Sequence, residues 1–484
     1  MAVALVRRAL THTCVIAILL QTCCAQKFNI PDVKIEAFSP KGFRASIPDS
    51  PGMSLFVFQG NVNRAIDSTA VGGLKGEITQ ATNGRWVYDN PDAQLKVGDV
   101  VNYYVFVSVN REGFVKDGLT YTITEFSSRS GNPTGPNPTP TPDCRPSATR
   151  IRGGKACAGQ TIFEDNFDSF KDDLWQIEQY IPINHPEFPF VSYQRLSPNG
   201  PVSVSGGFLH IAPKLQQTLP GFNNESIYTG SLDLFSGCTA SAEACYRQAM
   251  GANILPPVAS GRLTSSVAFT YGTVTIRAKL PQGDWMYPEL LLEPFLKKYG
   301  SSHFASGVIK IASARGNADL RAGPDEYGNK ILYGGPVMDF QCRGQLLTNK
   351  VLTNGKMWGD DFHEYSITWL PDQITLSVDG EQWARVDGSR ALRDRFPQRC
   401  ALPRTLLAKG SNLAPFDDHF YLTLGVAVGG ISEFRDDAYS GDRAKPWRDV
   451  AHKAMLSFWE HLDSWQQTWN QPELVVDYVK VVAL

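Results

Sequence analysis

Six cysteines follow the first 25 residues: Cys144, Cys157, Cys238, Cys245, Cys342 and Cys400. They have no paired C-x-x-C spacing, so zinc is disfavoured and disulfides are expected. Six cysteines allow 15 pairings. The expected set joins nearest neighbours: Cys144–Cys157, Cys238–Cys245 and Cys342–Cys400. Asn224-Glu225-Ser226 is an N-glycosylation sequon, whereas proline after Asn132 and after Asn137 excludes those positions. No cofactor or metal motif is evident. Disulfides and a sequon both belong to an oxidising, extracellular compartment.

The elements around these residues agree. Met1 to Ala25 reads as a signal peptide, with Arg7 and Arg8 before a short apolar run, Cys14 to Leu20, and a small residue at the cut. That run is too short to span a bilayer, so a secreted, extracellular protein without a membrane span is expected. The 484 residues carry a net charge of −2, which argues against nucleic acid as the main partner and against a polybasic membrane anchor. A hydrophobic share of 42% is ample for folded domains, and 42 glycines with 31 prolines favour turn-rich β-structure.

Residues 127–143, SSRSGNPTGPNPTPTPD, contain no large apolar residue and read as an extended linker. They separate a module at 26–126 from one at 144–484. In the first, Ser54–Phe58, Val100–Val107 and Leu119–Phe126 read as strands of a small β-sandwich. In the second, Val267–Ala278, Tyr365–Leu370, Ile374–Val378, Tyr421–Val426 and Leu474–Val482 alternate with period two. Only Arg448–Trp465 reads as a helix, amphipathic through Val450, Met455, Phe458, Trp459 and Leu462. The expected class is all-β, with a large jelly roll as the second module.

Ordered stretches of that module resemble β-1,3-glucanases of the laminarinase type, which are concanavalin-like jelly rolls. They run from Phe163-Glu164-Asp165-Asn166-Phe167-Asp168 through Ser260-Gly261-Arg262-Leu263, Tyr271-Gly272, Arg277-Ala278-Lys279-Leu280-Pro281, Trp285 and Phe362-His363-Glu364-Tyr365. Val378-Asp379-Gly380, Ala427-Val428-Gly429-Gly430, Pro446-Trp447 and Val476-Asp477-Tyr478 complete the series. The first module resembles the glucan-binding module of insect β-1,3-glucan recognition proteins, or Gram-negative bacteria-binding proteins, an immunoglobulin-like β-sandwich. Pro40-Lys41-Gly42-Phe43, Asn83-Gly84-Arg85-Trp86 and Leu95-Lys96-Val97-Gly98-Asp99 carry that likeness.

The resemblance also marks what is missing. Retaining glycosidases need two carboxyl groups ~5–5.5 Å apart. In the glucanases they lie on one strand, in the pattern S-G-E-I-D-I-M-E. Here the stretch reads Ser306-Gly307-Val308-Ile309-Lys310-Ile311-Ala312-Ser313. Val308 stands at the nucleophile, Lys310 at the intervening aspartate and Ser313 at the acid/base. Positions five apart on a strand would need a β-bulge to converge. Valine cannot attack an anomeric carbon, and serine cannot supply a proton at a useful pKa. No enzyme activity is expected by this route, although Glu289, Glu293 and Asp339 are other acids near the presumed cleft; such acids are more often surface or loop ion pairs.

A cleft without catalysis could still bind sugar by aromatic stacking. Trp285, Trp447, Trp459, Trp465 and Trp469 are candidates, with core packing favoured for Trp469. In the first module, the resemblance places ligand contacts at Tyr104 and Phe106 on one strand, at Glu77 on the neighbouring strand and at Lys116. Leu74 and Val115 stand where that family has Trp and Arg. Trp86 reads as a core residue.

The resemblance implies a secreted innate-immune recognition protein. Its partners would be microbial polysaccharide (β-1,3-glucan, lipopolysaccharide, lipoteichoic acid or peptidoglycan) and a serine protease of a Toll or prophenoloxidase-type cascade. The alternatives are an active secreted β-1,3-glucanase and a protein-binding scaffold without sugar affinity.

Overall fold

The computed structural model describes residues 28–38, 41–68, 72–82, 84–109, 112–126, 144–152, 154–195, 197 and 200–484. The expected leader and the 127–143 linker lie outside them. The chain divides between Pro138 and Thr139 into two compact units.

The first unit is a β-sandwich. One antiparallel sheet holds Lys34–Ala37, Phe43–Pro48 and Arg85–Asn90; the other has the strand order Leu74–Ile78, Met53–Val62, Val100–Val109, Glu112–Thr122. Val100–Val109 alternates strictly between buried and half-buried residues, as a strand with one face on a core must. Phe43, Phe58, Tyr88 and Tyr103 meet between the sheets; the Phe58 ring stacks on Tyr88 at 5.3 Å and on Tyr103 at 5.2 Å. Trp86 is buried, as expected, and its indole N–H donates to Asp49 Oδ1 at 2.7 Å.

The last strand of this unit starts earlier than expected, at Glu112 rather than Leu119. Gly113, Asp117 and Gly118 hid it. Leu119 opposes Tyr103 and Lys116 opposes Val105, so an extra residue bulges here, with Gly118 at φ 65°.

The second unit packs a nine-stranded sheet and an eight-stranded sheet around one apolar core, the jelly-roll arrangement. The period-two run Val267–Ala278 is two strands rather than one. Arg262–Thr270 lies in the nine-stranded sheet and Gly272–Lys279 in the eight-stranded one. The chain crosses at Tyr271 (φ 64°) and Gly272 (φ 148°), and alternation alone cannot register a change of sheet. The expected helix over 448–465 is reduced to Ala454–Glu460 and Leu462–Trp465, broken at His461. Val450 precedes it and is 91% exposed, so it contributes nothing to an apolar face. All three disulfides join the nearest neighbours.

Candidate functional site

In the first unit, pairing register arranges the outer face of the four-stranded sheet in rows. Glu77 opposes Val57, Val57 opposes Phe106, and Phe106 opposes Val115. The next row is Lys75, Gln59 and Tyr104. Strand spacing of about 4.8 Å puts the backbone of Glu77 roughly 10 Å from that of Phe106. Tyr104 and Phe106 are half-buried, and Glu77 and Lys75 are exposed. Phe106 leans across the neighbouring strand. A Cβ on Gly113 would lie 2.8 Å from its ring, so only glycine there lets the ring lie flat. Beyond Tyr104 the surface is walled. Gln59 Oε1 accepts from the Gly72 N–H at 2.9 Å, and Asn61 Oδ1 from the Gly73 N–H at 3.0 Å.

Two residues read beside this face are not on it. Lys116 opposes the inward-pointing Val105 and donates to Asp32 Oδ1 at 2.8 Å and to the Ile30 carbonyl at 3.5 Å. Adjacent residues on a strand face opposite ways, so Val115 is outward and Lys116 is not. The expectation that Lys116 joins the aromatic pair is therefore corrected. Leu74 points into the core. Lys75 and Gln59 belong to the face and were missed, although alternation from Glu77 places Lys75 on it.

In the second unit, the strand Val308–Ser313 is wholly buried between Met286–Pro294 and Ile331–Val337. A bulge shifts its register. Leu291 opposes Lys310 and Leu290 opposes Ala312, while on the other side Lys310 opposes Gly335 and Ser313 opposes Tyr333. The bulge turns Lys310 and Ser313 to the same side, where both line a cavity of about 430 Å³. Val308 lines another, of about 380 Å³, with Tyr180, His185, Arg262 and Glu293.

The larger cavity has a charged wall. Lys310 Nζ lies 3.1 Å from Glu433 Oε2 and 3.5 Å from Glu187 Oε1. Arg315 reaches Glu433 Oε1 at 2.7 Å, and Arg343 Nη2 bonds Glu187 at 2.5 Å and also Glu433. Burial opposes ionisation of both carboxyls, but the cations overcome it. Lys310 and Arg343 hold Glu187 below its ordinary value, and Lys310, Arg315 and Arg343 hold Glu433 well below. Glu187, Glu433, Arg315 and Arg343 were missed. They are far apart in sequence, and only the fold brings them to Lys310.

The other acids are also committed. Arg262 binds Glu289 at 3.3 Å and Glu293 at 2.5 Å; Tyr193 donates to Glu289 at 2.9 Å and Thr423 to Glu293 at 2.6 Å. Burial raises and Arg262 lowers the Glu293 pKa, with a net fall. Asp339 accepts from the backbone N–H of Cys342 and of Ala401, bracing the disulfide region. Glu289 and Asp339 are buried, Glu293 is half-buried and lines the smaller cavity, and all three serve as structural partners.

The tryptophans are structural too. Trp285 is 2% exposed, with its ring edge-on to Phe434 at 5.3 Å and to Trp447 at 5.2 Å. Neither face is open to a sugar, so its expected role as a ligand contact is corrected. Trp447, Trp459 and Trp465 are likewise buried, and Trp469 packs on Trp465 and donates to the Asp284 carbonyl. Asn224 is exposed at the first turn of the helix Asn224–Thr229, which Asn223 caps.

The chain is 62% identical over 463 residues to a β-1,3-glucan-binding protein of Hyphantria cunea, covering 95% of this chain and 96% of that one. It belongs to the β-1,3-glucan-binding and Gram-negative bacteria-binding protein family. β-1,3-Glucan-binding protein 1 of Manduca sexta is 34% identical over 487 residues, covering 94% of this chain and 96% of that protein. Gram-negative bacteria-binding protein 3 of Drosophila melanogaster is 31% identical over 509 residues, covering 99% of each. A family model described as a carbohydrate binding domain (family 32) matches residues 29–136, and one described as glycosyl hydrolases family 16 matches 340–406. Among solved structures, the laminarinase catalytic domain of Thermotoga petrophila is 18% identical. It covers 67% of this chain and 97% of its own, with a TM-score of 0.42. The full-length relatives are named for binding rather than for hydrolysis. Among the described residues, no helix is long and apolar enough to cross a membrane.

Proposed function

We propose that this chain is a secreted, non-catalytic recognition protein of innate immunity. It binds β-1,3-glucan through the outer face of its first sandwich and passes that event to a serine protease of an immune cascade. The supporting observation is the row Glu77, Val57, Phe106, Val115 with Tyr104 in the next row: two partly open aromatic rings beside an exposed carboxylate. Rings in that setting stack on sugar CH faces, and the carboxylate accepts from sugar hydroxyls.

Hydrolysis is disfavoured by the state of the second unit. A retaining glycosidase needs one carboxyl that keeps its proton near neutral pH. The two carboxyls beside Lys310 are both held ionised, and Val308 and Ser313 supply neither nucleophile nor acid.

Sedimentation with curdlan tests the reading. The wild-type chain is expected to leave the supernatant with the polymer, and Tyr104→Ala/Phe106→Ala to remain in it. Equal sedimentation of both would overturn the assignment of the face.

A further inference from the structure

The smaller cavity, of about 380 Å³, carries a row of three side chains on one wall. Leu292 opposes Ile309, so Val308 stands opposite Glu293 one step on, and Glu293 in turn opposes Tyr421. Directly opposed residues share a face, with their strands about 4.8 Å apart. An apolar group, a carboxylate and a phenol thus stand side by side, and all three line the cavity.

The polar groups keep unused atoms. Glu293 accepts from Arg262 and from Thr423 through Oε2 alone. Its Oε1 has no partner among the described residues, and the side chain stays 14% exposed. The hydroxyls of half-buried Tyr180 and Tyr421 are likewise unpartnered among the described residues without being sealed from solvent. His185 Nδ1 accepts from the Glu187 N–H at 3.2 Å, so the neutral ring carries its hydrogen on Nε2 as a further donor. Burial pushes the His185 imidazole below its ordinary value, which keeps it neutral at pH 7. Charge on the lining balances, Arg262 and Lys297 against Glu178 and Glu293. These features suit a neutral ligand rich in hydrogen-bonding groups, and the volume is in the ordinary range for small-molecule sites.

The row also discriminates among neutral sugars. A hydroxyl set against Val308 finds no partner there, and burying it unpaired is costly. An acetamido group meets all three members: its methyl packs on Val308, its N–H donates to Glu293 Oε1, and its carbonyl faces the donors Tyr421 and His185. We propose that this cavity binds an N-acetylhexosamine residue, with the acetamido methyl against Val308 and the amide N–H on Glu293. The site lies in the second unit and does not depend on the glucan-binding face of the first.

Calorimetric titration of the full chain tests this with N,N′-diacetylchitobiose and cellobiose, which share their linkage and differ in the acetamido groups. The diacetyl sugar is expected to bind at least about tenfold tighter, as one charge-assisted hydrogen bond and one buried methyl allow. Val308→Thr keeps the shape and sets a hydroxyl under the methyl. It should cut that ratio several-fold while curdlan sedimentation stays unchanged. Tyr421→Phe removes one donor and should weaken the diacetyl sugar several-fold without shifting second-unit unfolding. The disaccharide of N-acetylglucosamine and N-acetylmuramic acid is a third probe. Tighter binding than diacetylchitobiose names a bacterial wall glycan as the source, and weaker binding a chitin-type glycan. Equal affinity for diacetylchitobiose and cellobiose, no binding of either, or a ratio unaltered by Val308→Thr would overturn the proposal; loss of curdlan binding alone would strike the first-unit assignment instead.

Discussion

Glu433→Gln isolates the electrostatics of the second unit, because glutamine keeps the shape and removes only the charge. Glu433 closes ion pairs with Lys310, Arg315 and Arg343, and all of these groups are largely buried. Without its charge, three cations face Glu187 alone. Breaking a buried network this way costs about 3–5 kcal/mol. The unit spans Thr139–Leu484. At about 2.1 cal/mol/K per residue its unfolding entropy is about 0.7 kcal/mol/K, so the transition should fall by about 4–7 °C. Differential scanning calorimetry reads this, with the first unit's transition as an internal reference.

The pH dependence has a fixed sign. Glu187 and Glu433 are held below their ordinary value of 4.5 when folded. Their contribution is fully present above that value and is lost as pH falls through the folded-state values. Wild type should therefore lose second-unit stability on acidification below about pH 4.5, and Glu433→Gln should lose less. A shift under about 1 °C at pH 7, or an unchanged acid slope, would refute the network as described.

Three further outcomes follow from other parts of the molecule. Gly113→Ala places a methyl 2.8 Å from the Phe106 ring and must move it, so curdlan affinity should fall several-fold while the first unit stays folded by circular dichroism. Trp86→Phe removes the indole donor to Asp49 and should cost the first unit about 1.5–3 kcal/mol in urea unfolding, leaving the second unaltered. Replacing Cys342 and Cys400 by alanine opens a loop of 58 residues and should cost about 4 kcal/mol, read by the same denaturation.

Much of this was legible in the sequence where the signal is local. Val100–Val107 was legible as a strand and lies within the observed Val100–Val109; the resemblance put Tyr104 and Phe106 on it, and residues two apart share a face. The disulfides follow short separations of 13 and 7 residues and one of 58. A bulge was expected between Val308 and Ser313, and one falls between Lys310 and Ser313; it aligns those two, whereas Val308 lines the other cavity. What was not legible depends on three-dimensional assembly. Lys116 is adjacent to Val115 in sequence yet on the opposite face. Trp285 has the composition of a sugar platform, but Phe434 and Trp447 close over it, and nothing local announces them. The partners of Lys310 lie 123 residues away on both sides, beyond any periodicity.

Binding without hydrolysis is the central claim, and one time course tests it. Laminarin is incubated with the full chain from pH 4 to 8, with bound protein and released reducing ends measured on the same samples. The account predicts saturable binding, abolished in Tyr104→Ala/Phe106→Ala, with reducing ends no higher than in buffer at any pH. Reducing ends that accumulate in proportion to protein would contradict it.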